Sequence, residues 1–389
     1  FQAEDGIRDD WLRLVGSEMC IRDRSYDSLQ AILAPVQQNV EQLRELISDK
    51  ELLVQLDRID RWSRDTYEKL SALMGRRHQS GFVRECHGDV HLANMVWMEN
   101  EPLLFDCIEF SESLRWIDVV SDIAFLLMDL DDRGVPELGT VFLNQYLRHT
   151  GDYAGLNLLR FYKVYRAMVR AKVGYLRLAQ EGAGRESEQL EKLARSYLDL
   201  AIDYIGVRAP KLIITHGLSG SGKTTFVRDL APLCGAISLH SDVERKRLHG
   251  LEMTAVSGAT LAGGVYSADS SRKTYLHLRD LAGELLQAGF EVIVDATFIR
   301  KEHRALMRQL ATDRQTPFYI LDFRIDQYEL FRRLEMRRME PGQVSEATAE
   351  VLRFQLEQEE PLESEGGQVI GIEPDCSPEK VLGAISSFR

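Results

Sequence analysis

The chain has 389 residues, with 48 lysines and arginines against 61 aspartates and glutamates, a formal net charge of −13. A composition of 44% hydrophobic and 28% charged residues excludes whole-chain disorder, and the length fits two or three domains of roughly 100–200 residues each. The acidity argues against non-specific binding to nucleic acid or an anionic membrane, and five scattered cysteines with no CxxC pair give neither a disulfide framework nor a zinc site.

No apolar run approaches the length needed to span a bilayer, and a reducing cytoplasm is the expected setting. Residues 1–24, FQAEDGIRDDWLRLVGSEMCIRDR, follow neither helical nor strand periodicity. The pieces AEDGIRD and GSEMCIRD resemble translated sequencing-adapter DNA. The expectation is an artefactual or disordered segment fused to a truncated reading frame; an ordinary polar tail is the alternative. From Tyr26 to Met74 apolar residues recur three and four apart, as at Leu29, Ile32, Leu33, Val36, Val40 and Leu43, which predicts helix. A strand-like run, Gly81–Cys86, leads into the polar loop His87–Asn94. Met95–Met98 and Pro102–Phe105 flank Glu99-Asn100-Glu101 as a hairpin. Trp116 to Ile205 reads as about four helices, broken at Gly134-Val135-Pro136, Thr150-Gly151-Asp152 and Glu181-Gly182-Ala183-Gly184.

The loop His87-Gly88-Asp89-Val90-His91-Leu92-Ala93-Asn94 places an Asp and an Asn five residues apart. That pair suits phosphoryl transfer, with Asp89 as base and Asn94 on Mg²⁺. Asp106, one hairpin later, stands where a second metal-binding carboxylate is expected. Each residue alone reads as structural; order and spacing together make the site. HGDVHLAN and LFDCIEF, extended by RWIDVVSDIAFLLMDL and FYKVYRAMVRAKV, resemble the aminoglycoside-phosphotransferase family, a branch of the kinase-like fold. The resemblance covers residues 25–205 and implies a mainly helical α+β kinase-like C-lobe. Such enzymes also use a Gly-rich loop and a strand Lys from a first lobe. Neither pattern precedes His87 here, so the first lobe is expected to be absent and this module inactive as written.

Gly206–Pro210 reads as a linker. Beyond it, apolar runs at Leu212–Thr215, Ala236–His240, Val292–Asp295, Phe318–Phe323 and Val369–Ile372 alternate with helical stretches. That alternation predicts a parallel sheet covered on both faces, over residues 206–389. Gly217-Leu-Ser-Gly-Ser-Gly222-Lys223-Thr224 fits G-x-x-x-x-G-K-[ST] in full, between a strand and a helix. Gly217, Ser219, Gly220, Ser221, Gly222, Lys223, Thr224 and Thr225 are therefore the expected nucleotide-binding residues. Lys223 would reach the β and γ phosphates of ATP and Thr224 would ligate Mg²⁺.

Asp242, at the end of the second strand, could accept a proton from a substrate hydroxyl, with Arg245 one turn on for an anionic part of that substrate. The bland alternative is Ser241 or Asp242 capping a helix. Asp295, ending Val292-Ile-Val-Asp295-Ala-Thr297, could hold Mg²⁺ or, with Thr297, orient substrate. Arg332, Arg333, Arg337 and Arg338 crowd one helix before Glu340-Pro341-Gly342. Arg337 and Arg338 are the expected phosphate-closing pair, and a solvated, salt-bridged face is the competing reading.

GLSGSGKTT, HSDVERKRL and VIVDATF, followed by Arg304, resemble P-loop kinases of the gluconate-kinase, zeta-toxin and polynucleotide-kinase-like group. The resemblance implies a five-stranded α/β P-loop NTPase and ATP-dependent transfer to a hydroxyl. The fused order resembles bacterial two-module proteins that join an aminoglycoside-phosphotransferase-like part to an AAA-family ATPase. A small-molecule or nucleotide acceptor is the leading expectation. An ATP-driven switch without an acceptor and an RNA or DNA end kinase are the alternatives, the last disfavoured by the acidic charge.

Overall fold

The computed structural model describes residues 30–180, 184–252, 268–337, 348–362 and 368–386; residues 1–24 lie outside them. Two compact units are present. The first runs up to Gly139 and resumes over Ala154–Val207; the second takes in Thr140–Tyr153 with the chain from Arg208 onward. The sequence pattern assigns Thr140–Tyr153 to the front module. Its polar side chains instead bond within the second unit, Asn144 to Ala236 and Ser238 and Tyr153 to Glu244.

In the first unit, helix α1 (Gln30–Leu46) is followed by α2 (Lys50–Gln79), the break falling where Asp49 caps α2 by accepting the Glu51 N–H at 2.8 Å. Strand β1 (Val83–Glu85) precedes the hairpin β2 (Met95–Met98) and β3 (Glu101–Leu104), whose turn residues Glu99 and Asn100 both have positive φ. A short helix α3 (Glu112–Arg115) leads into β4 (Trp116–Asp118), which pairs antiparallel with β1. Helical periodicity extends back to Trp116 in the sequence, yet helix α4 (Val119–Asp132) starts three residues later. Asp118 explains the difference. Its carboxylate is gripped by buried Arg77 at 2.7 and 2.9 Å and caps α4 through the Val120 N–H. Then come α5 (Pro136–Thr150), which from Thr140 onward belongs to the second unit, α6 (Leu156–Gln180) and α7 (Arg185–Ile205). Leu43, Leu56, Ile59, Phe125, Met168 and Leu198 form the centre of this unit's core.

In the second unit β5 (Leu212–His216), α8 (Lys223–Cys234), β6 (Ile237–His240), α9 (Ser241–Leu248), α10 (Ala268–Gln287) and β7 (Val292–Asp295) alternate. They continue as α11 (Lys301–Asp313), β8 (Phe318–Phe323), α12 (Gln327–Arg337), α13 (Ala349–Gln358), β9 (Gln368–Ile372) and α14 (Pro378–Ser386). The five strands form one parallel sheet in the order β6-β7-β5-β8-β9. Leu212, Ile213, Ile214, Val292, Ile293 and Val294 are wholly buried, as strands covered on both faces require. Helix α14 lies beyond the last predicted strand; its Val381 and Ile385 close one face of the sheet. Among the described residues no helix is long and apolar enough to cross a membrane.

Candidate active site

The carboxyl ends of β5, β6 and β7 meet at one edge, where parallel sheets bind ligands. The turn from β5 into α8 starts at Gly217, with φ of 142°. A Cβ there would lie 3.0 Å from the Phe323 carbonyl oxygen, so only glycine fits. Ser219 N–H is held by Gln355 Oε1 at 2.9 Å, and Gly222 stands at the N-cap of α8 in the left-handed region. Lys223 is buried; its Nζ donates to Gly217 O at 2.9 Å, Leu218 O at 2.7 Å and Ser221 Oγ at 3.2 Å. Thr224 and Thr225 open to solvent on the first turn of α8.

Thr224 Oγ1 donates to Asp295 Oδ2 at 2.7 Å, and His240 Nδ1 lies 2.9 Å from the same oxygen. Burial alone would raise the Asp295 carboxyl. The bonds from His240 and Thr224, with the charge of Lys223, outweigh it and hold the group below its ordinary value. Hydroxyl and carboxylate oxygens so placed suit a hard divalent cation. Thr297 O accepts the Gly217 N–H at 3.0 Å, and its hydroxyl meets Tyr275 Oη at 3.2 Å.

Asp242 does not cap α9. The helix begins at Ser241 after His240, which makes no side-chain capping bond, and Asp242 instead accepts from Arg245 Nη1 at 2.9 Å. Asp242 and Arg245 are thus one pair, half-buried, two residues beyond His240. Arg332 and Arg333 both bond Glu329, whose carboxyl they hold down at about 2. Of this helix Arg333 reaches the loop: a Cβ at Gly222 would lie 3.5 Å from its Nη1. Arg337 ends α12 with its side chain outside the described residues, and Arg338 lies outside them altogether. Arg304 is fully buried and donates to the Phe298 and Ile299 carbonyls at 2.9 Å, which makes it a support of the β7–α11 connection.

The other side of the loop carries groups that sequence reasoning missed. His216 Nδ1 lies 2.8 Å from Asp322 Oδ1, and Arg324 Nε donates to Asp322 Oδ2 at 2.7 Å. His216, Leu218, Ser221, Asp322 and Leu330 line a cavity of about 660 Å³ beside the loop, within the size range of small-ligand sites. Asp322 looks like one more polar residue at a strand end, and no motif marks it.

In the first unit the loop His87–Asn94 is held by α4. Asp122 accepts the N–H groups of His87 at 3.0 Å and Gly88 at 3.1 Å, and Asp129 accepts that of Leu92 at 2.9 Å. These carboxylates are seven residues apart, two turns on one helix face. Gly88 has φ of 84°, and a Cβ there would lie 2.8 Å from Leu114 O. Asn94 Nδ2 donates to Asp89 Oδ2 at 3.0 Å, and His91 Nε2 lies 3.3 Å from that oxygen. Burial raises the Asp89 carboxyl, and the His91 and Asn94 bonds return it below its ordinary value. Asp106 is exposed with φ of 60°; Phe105 beside it bonds Asn94 O through its N–H at 3.0 Å and His87 Nε2 through its carbonyl at 2.9 Å. The structure therefore joins Asp89 to Asn94 and sets Asp106 next to Phe105, whose backbone bonds both ends of the loop.

Residues 25–159 match the family model described as the phosphotransferase enzyme family, and residues 212–362 match the one described as an AAA domain. The two resemblances read from the motifs are thus borne out. Uncharacterized proteins of Mycobacterium tuberculosis (strain ATCC 25618 / H37Rv) and Mycobacterium bovis are each 33% identical over 306 residues, 78% of this chain and 60% of theirs. The chain spans 60% of the length of these curated relatives. Among solved structures, a sugar kinase from Janibacter sp. aligns at 18% identity and a TM-score of 0.35, covering 46% of this chain and 94% of that one. A gluconokinase from Sinorhizobium meliloti aligns at 20% and 0.31, covering 46% of this chain and 90% of that one. An APS kinase of Mycobacterium tuberculosis, solved with AMPPNP and APS, aligns at 20% and 0.34, covering 46% of this chain and 98% of that one.

Proposed function

We propose that the second unit transfers the γ-phosphoryl group of ATP to a hydroxyl of a small molecule or nucleotide. The observation that supports this best is the bond from Thr224, on the phosphate-binding loop, to Asp295, with Asp242 two residues past the His240 that also holds Asp295. On this reading the nucleotide-binding loop works with Asp295 as metal ligand and with Asp242, paired to Arg245, as candidate base.

The loop amides and the N-terminus of α8 would bind the phosphates. Lys223 Nζ would exchange the Gly217 and Leu218 carbonyls for phosphate oxygens. Thr224 and Asp295 would hold Mg²⁺, which when bound neutralises charge on the phosphates. Asp242 would take the proton of the acceptor hydroxyl. The acceptor oxygen then bonds the γ-phosphorus as the bond to the bridging oxygen breaks, leaving ADP. Arg333, beside Gly222 and paired with Glu329, would stabilise charge spread over the transferred oxygens.

The test is ADP release by the full chain, screened against sugars, nucleosides and nucleotide sugars, with Lys223→Ala as control. Acceptor-dependent release lost in the variant supports the reading. Hydrolysis that ignores every acceptor but changes with a bound protein would replace it with an ATP-driven switch. Activity confined to oligonucleotide ends would make the acceptor a nucleic acid.

A further inference from the structure

Strand β6 is an edge of the sheet, paired on one side with β7. Asn144, on α5, lies against its other side. Asn144 Nδ2 donates to Ala236 O at 2.9 Å and Oδ1 accepts the Ser238 N–H at 2.8 Å. A backbone N–H only donates and a carbonyl only accepts, so these two bonds fix which way the amide faces. The side chain imitates a neighbouring strand and covers the edge.

The same oxygen continues inward. Ser238 Oγ lies 3.1 Å from Asn144 Oδ1, an atom that only accepts, so the hydroxyl donates to it. Ser238 Oγ also lies 3.1 Å from His240 Nε2, the donor of that pair being set by the ring tautomer. His240 Nδ1 then meets Asp295 Oδ2 at 2.9 Å, and Thr224 Oγ1 meets it at 2.7 Å. A row of polar contacts, each within hydrogen-bond distance, thus links a side chain upstream of the linker to the phosphate-binding loop.

A second anchor fixes the same segment to α9, which carries Asp242 and Arg245. Glu244 is wholly buried and accepts from Tyr153 Oη at 2.8 Å, from His277 Nε2 at 3.2 Å and from Arg247. Arg247 Nη2 donates in turn to Arg148 O at 2.8 Å, near the end of α5. Both elements on the acceptor side of the loop, β6 and α9, therefore lean on residues Thr140–Tyr153.

We propose that Thr140–Tyr153 is a positioning element of the phosphoryl-transfer site, with Asn144 holding Asp295 in register through Ser238 and His240. The inference rests on the kinase reading above. Partners that orient a metal ligand commonly set metal affinity by 10- to 100-fold.

Ser238→Ala is the informative variant, because Asn144 keeps both backbone bonds and only the row to His240 is cut. Two quantities are measured on the full chain: the ¹⁵N resonances of the His240 ring in nucleotide-free protein, and the ratio of ADP affinities with and without Mg²⁺ by calorimetry. In Ser238→Ala the Nε2 resonance moves and the Mg²⁺-dependent gain in ADP affinity shrinks by roughly tenfold. Ser238→Thr, which keeps the hydroxyl, restores both. A residue that only stabilised the edge would leave the Mg²⁺ ratio untouched. Wild-type ADP binding with an unaltered ratio and ring spectrum in Ser238→Ala overturns this inference alone. A wild-type chain that binds no ADP overturns the kinase reading and this inference with it.

Discussion

Tyr153 and Glu244, ninety-one residues apart in sequence, share a hydrogen bond of 2.8 Å in which the phenol donates to a wholly buried carboxylate. Burial raises the Glu244 carboxyl, but bonds from His277, Arg247 and Tyr153 outweigh it and keep the group below its ordinary value. Glu244→Ala removes the shared acceptor and is expected to destabilise the second unit by about 2 kcal/mol. This lies below the range for fully buried pairs because Arg247 and His277 both reach solvent. Tyr153→Phe removes one bond and should cost about 1 kcal/mol. Differential scanning calorimetry of the full chain checks both; equal stability of wild type and Glu244→Ala would defeat the account.

Asp242→Asn separates catalysis from structure. Asp242 caps nothing, and its bond to Arg245 is half-exposed, so stability should change by less than about 0.5 kcal/mol. Acceptor phosphorylation should fall by roughly 10²–10⁴-fold, the range for a positioned base. Wild-type rates in the Asn variant, with an acceptor in hand, would remove Asp242 from the mechanism.

These residues show what a sequence makes legible and what it hides. The loop from Gly217 to Thr224 announces itself because its glycines and lysine serve backbone geometry and phosphate charge at fixed spacing. The strand ends at Asp295 and His240 follow from apolar runs that stop at a polar residue. Asn144 has no such mark: it sits on an amphipathic helix where any polar residue reads as solvent-facing, and its partners lie over ninety residues away. His240 reads as the flank of Asp242, because only the register of β6 against β7 pairs it with Asp295. The same limit applies to Asp118, whose grip on Arg77 converts three residues of helical pattern into strand. Spacing favours Arg337 and Arg338, nearest the Gly/Pro loop, and gives no sign of the packing that brings Arg333 to Gly222.

His303 makes stability depend on pH. Its ring is buried on α11 and stacked on Tyr275 with centroids 3.6 Å apart. Burial pushes its pKa down from 6.5 to about 4, against the raising effect of Glu302 and Glu360. The folded state therefore stays neutral where the unfolded state binds a proton. Stability is complete above pH about 6.5 and falls as pH drops toward 4, by about 3 kcal/mol in all at 1.36 kcal/mol per unit. At pH 5 the loss from this group should be about 2 kcal/mol relative to pH 7. His303→Phe keeps the stacking and lacks the proton, so its urea midpoint should change less between pH 7 and 5. Identical pH dependence in the two proteins would exclude His303 as the cause.

The first unit is expected to phosphorylate nothing by itself. Asp89 and Asn94 are hydrogen-bonded to each other, and the loop that carries them is pinned to α4 by Asp122 and Asp129. Among the described residues before His87, however, the structure holds α1, α2 and the three-residue strand β1. None of these supplies a Gly-rich loop with a strand lysine, the parts that hold the α and β phosphates in kinase-like enzymes. The hairpin beside the loop instead leaves Val96, Trp97, Leu103 and Phe105 exposed. Phosphoryl transfer depends mostly on positioning, because the transition state is loose and its charge is spread over oxygens. Lys223→Ala should therefore leave no ATP-dependent phosphorylation of aminoglycosides or other hydroxyl compounds, and adding Asp89→Asn should change nothing. If Lys223→Ala retains such activity and Asp89→Asn then abolishes it, the first unit is a working phosphotransferase. In that case the phosphate clamp must come from residues outside those described here.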